Sequence, residues 1–311
     1  MLDHNTLIFQ VLNTIKQYNL INDGDTIALA LSGGKDSVCL LHILNRISSD
    51  ELFQKKYKVS MNFKIKPFII NLGIAGQEKS INAANQLCDA LGLELEVLNI
   101  KDYFSFTIPE IMKMIRKSYD NYLRKMRPCV ICGILKRRIM NRYAKHIKAS
   151  KLATGHHLDD ELETIFMNII KNNFFVNLRL GPMSGITRFR HFVPRIKPLY
   201  FVEESEVANY VNEHKLVHNP IVCSLREPGL RLRIRAFLNK LSLTKQQKIN
   251  VINNFLEYKV KCSTKLRYKE HSELLNQCEI CGEPISSNLG IGNRPNICKI
   301  CEILNRLDAG H

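Results

Sequence analysis

The stretch IALALSGGKDSVCLLHIL, residues 27–44, holds two apolar runs separated by Ser32, Gly33, Gly34, Lys35, Asp36 and Ser37. The first run, inside TIALALS, has the length of a buried strand, and the second continues as a helix. A helix N-terminus presents unpaired N–H groups and a partial positive charge. Glycines just before it let an anion approach the backbone, so the junction reads as a phosphate site. It is not the G-x-x-x-x-G-K-[ST] loop, which would need Gly at Leu29 and Ser or Thr at Asp36. The bland alternative is a glycine-rich strand-to-helix turn that holds no ligand.

Outward from this junction the two periodicities alternate. Leu7, Ile8, Val11, Leu12 and Ile15 recur at helical spacing, and NDGD supplies a turn before the strand. After the loop come a helix, the strand KPFIINLG, a helix from about Glu78 to Leu91 and the strand LELEVLNI. A helix around 108–124, another starting near Cys132, the strand KLATGHH and the helix LDDELETIFMNIIKN continue the pattern. Strands alternating with helices predict an α/β fold, a doubly wound parallel sheet covered on both faces. Beyond Asn172 the pattern weakens: LGPMSGI reads as loop, VPRIKPL as an irregular or edge segment because of its prolines, and EESEVANYVNEH as a helix. Residues 230–260 read as basic and helical. The expected organisation is an N-terminal helix over 1–22, a nucleotide-binding domain over 23–200, a helical basic extension over 201–272 and a cysteine-rich module over 273–311.

The chain has 311 residues, 45% of them apolar, which is enough for a substantial core. Lys and Arg number 45 against 29 Asp and Glu, a formal charge of +16. That excess suits a polyanionic partner, and equally an ordinary basic protein. No segment reaches the roughly 18–20 apolar residues of a membrane span, and MLDHNTLIFQ lacks the basic start and apolar core of a signal peptide. A cytoplasmic protein without a membrane partner is expected. Six of the ten cysteines fall in three CxxC pairs, which in a cytosolic chain indicates metal or redox chemistry rather than disulfides. Cys39, Cys88, Cys223 and Cys262 are solitary, and the first two read as core residues.

Cys278, Cys281, Cys298 and Cys301 form CxxC, a sixteen-residue spacer and CxxC, the pattern of a small four-cysteine zinc ribbon. Its role would be structural, with its basic loop placed to touch nucleic acid. Cys129 and Cys132 are expected just before a helix that carries Lys136, Arg137 and Arg138, where cations and the helix terminus stabilise a thiolate. Either cysteine can serve as metal ligand or nucleophile, and the pair can equally be a redox dithiol or a persulfide carrier. Cys223, flanked by Pro220 and Pro228, is the best candidate for a third ligand. Lys136 to Arg138 can also simply face solvent or RNA, Asp159 can be a helix cap, and His156 and His157 read as packed or hydrogen-bonded histidines. Arg231, Arg233, Arg235 and Lys240 define a basic region.

Residues 32–37 resemble the PP-loop of the ATP pyrophosphatase superfamily, which splits ATP between its α- and β-phosphates. The resemblance implies an adenine nucleotide alpha hydrolase-like sheet. It also implies that the backbone of 33–37 and the hydroxyls of Ser32 and Ser37 cradle phosphates, that Lys35 neutralises charge, and that Asp36 holds Mg²⁺ or the loop's shape. The mid-chain CxxC, the lone Cys223 and TGHHLDDELETIFMNII resemble the tRNA 2-thiolation branch, with Gly155, His156, Asp159, Asp160 and Thr164 matching its Gly-His-x-x-Asp-Asp-x-x-x-Thr pattern. RIKPL followed by an acidic helix extends the likeness over roughly 25–240. By that resemblance Cys129, Cys132 and Cys223 ligate a [4Fe-4S] cluster with one iron open to sulfur, Lys136 reaches ATP or the adenylate, and Asp160 binds Mg²⁺ or orients the substrate.

What it implies is a tRNA sulfurtransferase that adenylates the C2 oxygen of a uridine and replaces it with sulfur. Its cofactors would be ATP, Mg²⁺, the cluster and Zn²⁺. Its partners would be tRNA, a sulfur donor (a ubiquitin-like thiocarboxylate protein or desulfurase-derived sulfide) and a second copy of the chain. The rivals are the sibling tRNA 2-thiocytidine synthetase, a non-catalytic tRNA- or carrier-binding scaffold, and a small-molecule synthetase with zinc throughout. The sequence departs from the branch in three places. The PP-loop domain starts almost at Met1 without a preceding pair of CxxC motifs, Asn71 and Leu72 replace the acids of an Asp-Glu-Gly-Ile motif, and Gln77 replaces an aromatic residue.

Overall fold

The computed structural model describes residues 5–57, 61–177, 179–184, 192–220, 223–265, 275–282, 284–286 and 296–308. From the N-terminus the chain forms α1 (Asn5–Gln17), β1 (Thr26–Leu31), α2 (Lys35–Ser49), α3 (Glu51–Tyr57), β2 (Lys64–Asn71), α4 (Glu78–Ala90) and β3 (Glu96–Asn99). It continues through α5 (Ile100–Phe104), α6 (Ile108–Lys117), α7 (Asn121–Arg124), α8 (Pro128–His146), β4 (Lys151–Ala153), α9 (Leu158–Ile170) and α10 (Phe174–Asn177). Then come β5 (Met183–Ser184), β6 (Arg195–Ile196), α11 (Glu204–Glu213), α12 (Leu230–Lys240), α13 (Lys245–Lys265), β7 (Leu275–Gln277), β8 (Pro284–Ser286) and α14 (Lys299–Asp308). No described helix is long and apolar enough to cross a membrane.

The main sheet has the order β3-β2-β1-β4-β6-β5; its first five members are parallel, and β5 runs antiparallel at the edge. Alternate residues of β1 and β2 face opposite sides, as the pleat requires. Ile27, Leu29, Leu31, Ile65 and Ile69 pack with α1, α2, α4 and α11 on one face. Ala28, Phe68 and Ile70 pack with α6, α8 and α14 on the other. A third cluster joins Leu158, Leu162 and Ile165 of α9 to Tyr200 and to Ile252 of α13. The chain order reverses between β1 and β4, so the crevice beyond their C-terminal ends is where an open α/β sheet binds its ligand. The loop 32–34 opens into that crevice.

Three expectations are corrected. VPRIKPL is not an edge: within its otherwise irregular course Arg195–Ile196 is a short inner strand between β4 and β5. The helix expected over 108–124 breaks after Lys117, and Asp120 caps a separate short turn by accepting from the N–H groups of Tyr122 and Leu123. The helix expected to start near Cys132 starts at Pro128, whose fixed φ and missing N–H suit a first helical position. Cys129 and Cys132 therefore lie in its first two turns rather than before it. The closing part of LGPMSGI and the zinc-spacer loop over 287–295 lie outside the described residues, as does the Cys262 side chain.

Candidate active site

The loop after β1 is braced by its own hydroxyls. The Ser32 N–H donates to Ser37 Oγ at 3.1 Å, the Gly34 N–H donates to Ser32 Oγ at 3.3 Å, and Ser37 Oγ donates to the Gly34 carbonyl at 3.0 Å. Ser37 is buried and holds the loop's shape rather than facing the crevice. Gly33 has φ +76°, and a Cβ there would lie 2.6 Å from Ser80; only glycine fits. The Asn219 N–H donates to the Gly33 carbonyl at 2.7 Å, and its amide donates to Ser80 Oγ at 2.9 Å. One residue thus clips the loop to α4. Lys35 Nζ stands 2.8 Å from both Asp36 Oδ1 and Glu204 Oε1. Burial works to lower the Lys35 pKa, but the hydrogen bonds to Asp36 and Glu204 outweigh it and raise it. Glu204 is depressed in turn: burial raises its pKa, and Lys35 more than offsets this.

A cavity of about 810 Å³ opens beside the loop, within the size range of small-molecule sites. Ser32, Gly34, Lys35 and Asp36 line one part of it, and Cys129, Cys132, Lys136 and Cys223 another. Cys132 follows Cys129 by three residues and Lys136 follows Cys132 by four, so the three share one face of α8. Cys129 and Cys223 are exposed and Cys132 is partly buried. Burial pushes the Cys132 thiol up, Lys136 pulls it down, and Cys223 and Cys129 push it up further. All three sulfurs belong to residues of the cavity wall, yet they are not among the sites whose ligand atoms all lie within 4.8 Å. Three thiolate donors are a set suited to an iron–sulfur cluster.

Gly155, Asp159 and Asp160 do not line this cavity. Gly155 packs on the loop: a Cβ there would sit 2.8 Å from the backbone of Asp36 and Ser37. Asp159 accepts from Lys248 at 2.7 Å and from the Glu204 N–H at 2.8 Å. Asp160 faces His157 Nε2 at 3.5 Å and Arg231 at 3.5 Å. His157 is buried, 3.9 Å from Asp36, so it stands between the loop acid and the two acids of α9. His156 is exposed and hydrogen-bonds Thr154. Arg231 and Arg235 also hold the buried Glu163, so the expected basic region is partly neutralised from within. Thr164 accepts from Arg231 and donates to the Asp160 carbonyl.

Sequence reasoning missed Glu204, Asn219 and Ser80, because their partners lie far away in sequence. It also missed the work of Gln77. That side chain accepts from the Leu72 N–H at 2.8 Å and donates to the Ile70 carbonyl at 2.6 Å, closing the turn after β2. Leu72, which lines the cavity, is itself buried.

Cys278, Cys281, Cys298 and Cys301 bring their sulfurs within 4.8 Å of one another, the one such group of three or more metal-ligating side chains among the described residues. Zn–S bonds of about 2.3 Å in a tetrahedron imply sulfurs about 4 Å apart, so the set fits zinc. Backbone N–H groups of Cys298 and Cys301 point at Cys278 and Cys298 Sγ. The buried Arg138, on the same helix as Cys129, Cys132 and Lys136, donates to Cys298 Sγ at 3.2 Å. Arg138 thus faces the tail and not solvent.

Several known proteins share this architecture. A cytoplasmic tRNA 2-thiolation protein 1 from Anopheles gambiae is 28% identical over 303 residues, 97% of this chain and 80% of its own. A tRNA-5-methyluridine(54) 2-sulfurtransferase from Pyrococcus horikoshii is 29% identical over 295 residues, 94% of this chain and 83% of its own. Among solved structures, the U34-tRNA thiolase NcsA from Methanococcus maripaludis with its [4Fe-4S] cluster superposes with a TM-score of 0.71 at 23% identity, covering 98% of this chain and 89% of that one. The family model of the PP-loop domain matches residues 5–238, and the chain belongs to that family.

Proposed function

We propose that this chain is a cytoplasmic, ATP-dependent tRNA sulfurtransferase that converts a uridine to 2-thiouridine. The observation that carries the reading is that the glycine loop and Cys129, Cys132 and Cys223 wall one cavity. The relatives named for tRNA 2-thiolation support it over nearly the whole chain.

ATP would lie with its phosphates at the N-terminus of α2, where free N–H groups and the helix dipole favour anions. Lys35 neutralises phosphate charge, and Asp36, which pairs with Lys35, would hold Mg²⁺ or the loop's shape. Asp160 acts from behind the loop, through His157, rather than from the cavity wall. The uridine C2 oxygen attacks the α-phosphorus, pyrophosphate leaves, and an adenylated base forms. Lys136, on the cavity wall, stabilises the charge that develops on the transferred phosphoryl group. Sulfide then adds at C2, AMP departs with the former C2 oxygen, and a C2–S double bond remains. Cys129, Cys132 and Cys223 would hold a [4Fe-4S] cluster, which when bound supplies an iron with a vacant position for inorganic sulfur. The four-cysteine site of the tail would hold Zn²⁺. The base must leave its stack to reach the cavity, which suits a loop nucleotide or one that flips out. The sulfur donor would be a ubiquitin-like thiocarboxylate protein or desulfurase-derived sulfide, and the working unit a homodimer.

The test is anaerobic reconstitution with iron and sulfide, followed by incubation with tRNA, ATP and a sulfide source. AMP release together with 2-thiouridine in the digested nucleosides is the expected result. Formation of 2-thiocytidine would assign the cytidine reaction instead. ATP binding with an intact cluster but no AMP would leave a scaffold.

A further inference from the structure

Resting on that reading, we infer that the segment Lys113–Arg127 is the surface on which the RNA backbone lies while its target base enters the cavity. Lys113, Arg116, Lys117, Arg124, Lys125 and Arg127 are all exposed, against a single acid, Asp120. Asp120 is occupied by Arg306 of α14 at 2.9 Å, and the neighbouring Glu110 by Lys101. Lys113, Arg116, Lys117, Arg124 and Lys125 form no ion pair among the described residues. The more obvious basic stretch behaves differently. Arg231 and Arg235 are held by Asp160 and Glu163, Lys245 by Glu206, and Lys248 by Asp159 and Glu203. Within 231–248 only Arg233 and Lys240 are exposed without an ion pair among the described residues, against five such cations within 113–125.

Position and chemistry agree on what would lie there. Lys125 is four residues before Cys129, and four residues span at most about 14 Å, so a phosphate on Lys125 lies within a few nucleotides of the cavity wall. Arg127 donates to the Pro228 carbonyl at 2.7 Å, which ties the segment to the loop that carries Cys223 and Arg226. Tyr119 is 88% exposed, and an aromatic ring among cations is how proteins hold unstacked bases. Tyr122 is instead locked beneath Lys299 and Arg306 of α14, 4.7 and 4.8 Å from its ring centre. The helix dipole accounts for cations in the last turn of α6. It does not account for Arg124 and Lys125, at and just beyond the end of a single turn of helix. An acidic protein would pair with the lysines and arginines but gains nothing from Tyr119, so RNA is the better fit.

The experiment measures binding of unmodified tRNA to the reconstituted full chain across a salt series. The variant Arg116→Gln/Lys117→Gln/Arg124→Gln/Lys125→Gln should bind at least tenfold more weakly at about 150 mM salt, and its log–log salt slope should fall by roughly 3. Tyr119→Ala should cost about tenfold and Tyr119→Phe little. Circular dichroism and cluster absorbance establish that each variant is folded. The control Lys64→Gln/Lys66→Gln, on the exposed side of β2, should bind as the parent does. Parental affinity and slope in the quadruple variant would overturn the inference. So would an equal loss per charge in the control, or loss of an acidic sulfur carrier with tRNA binding retained. If the parent binds tRNA through this surface and makes no thionucleoside, the functional reading fails and the surface stands. If the parent thiolates and the variant binds normally, the surface alone fails.

Discussion

Gly155 lies in the connection between β4 and α9, at the point where a second piece of backbone comes close. A Cβ there would stand 2.8 Å from the carbonyl carbon and oxygen of Asp36 and from the nitrogen of Ser37. All three are backbone atoms, so no change of rotamer relieves the clash. Space, not an unusual φ, is what this glycine supplies. Alanine would have to push the first turn of α2 away from β4, and with it Lys35 and Asp36. Gly155→Ala is expected to lower the melting temperature by several degrees, in keeping with an overpacked site. It should also weaken ATP binding more than tenfold by calorimetry. A variant that melts and binds like the parent would mean that the loop tolerates the shift and that its position is not critical.

At the scale of elements, α9, α11 and α13 are laced by ion pairs. Lys248 of α13 reaches Asp159 and Glu203, and Lys245 reaches Glu206, whose other contacts include the Glu203 N–H and Gln10. Burial works to raise the Asp159 pKa, but Lys248 and the Glu204 N–H bring it below its ordinary value; Glu206 is lowered in the same way by Lys245. Carboxylates with depressed folded pKa values contribute stability above their unfolded values near about 4, and that stability is lost as pH falls through the folded values. Lys248 is raised, so its contribution is complete below about 10.4 and is lost as pH climbs through its folded value. Thermal melts should therefore be nearly level between about pH 5 and 9 as far as these pairs are concerned, and should drop on the acid side. Lys248→Met should melt several degrees below the parent at pH 7, and the gap should narrow by pH 3. A gap that stays constant from pH 7 to pH 3 would show that Lys248 acts through packing alone.

The same scale shows what a sequence can carry. The strand, loop and helix over 26–49 are legible because apolar period and glycines act locally, and the four tail cysteines because paired CxxC motifs are a local pattern of four-thiolate metal sites. The strand Arg195–Ile196 is not, since prolines surround it. Pro194 lacks an N–H but keeps its carbonyl, and it is the carbonyls of Pro194 and Ile196 that accept from Leu152 of β4 and from Thr154 just beyond it. A proline penalises a strand only on its donor side. In the site, the cysteines are legible by residue type. The Lys35–Glu204 pair is not, because it joins positions 169 residues apart and nothing local announces it.

For the molecule as a whole, the tail is part of the core and not a detachable module. Cys278, Cys298, Ile300, Cys301, Ile303 and Leu307 belong to the same buried cluster as Ile111, Ile131, Leu135 and Ile139. Lys299 and Arg306 hold Tyr122, and Arg138 reaches into the cysteine set. Helix α8 therefore carries the candidate cluster ligands on its cavity side and rests on α14 on its other side. Each fully buried Ile or Leu is worth about 1.5–3 kcal/mol, so removing residues 273–311 takes away Ile300, Ile303 and Leu307 and leaves their apolar partners in water. The expected result is a melting temperature lower by on the order of 10 °C, raised binding of an apolar dye and lower soluble yield. Loss of the cluster's visible absorbance after reconstitution should follow, since α8 loses its support. If the shortened chain instead melts and reconstitutes like the parent, the tail is an independent ribbon and α8 stands on the sheet alone.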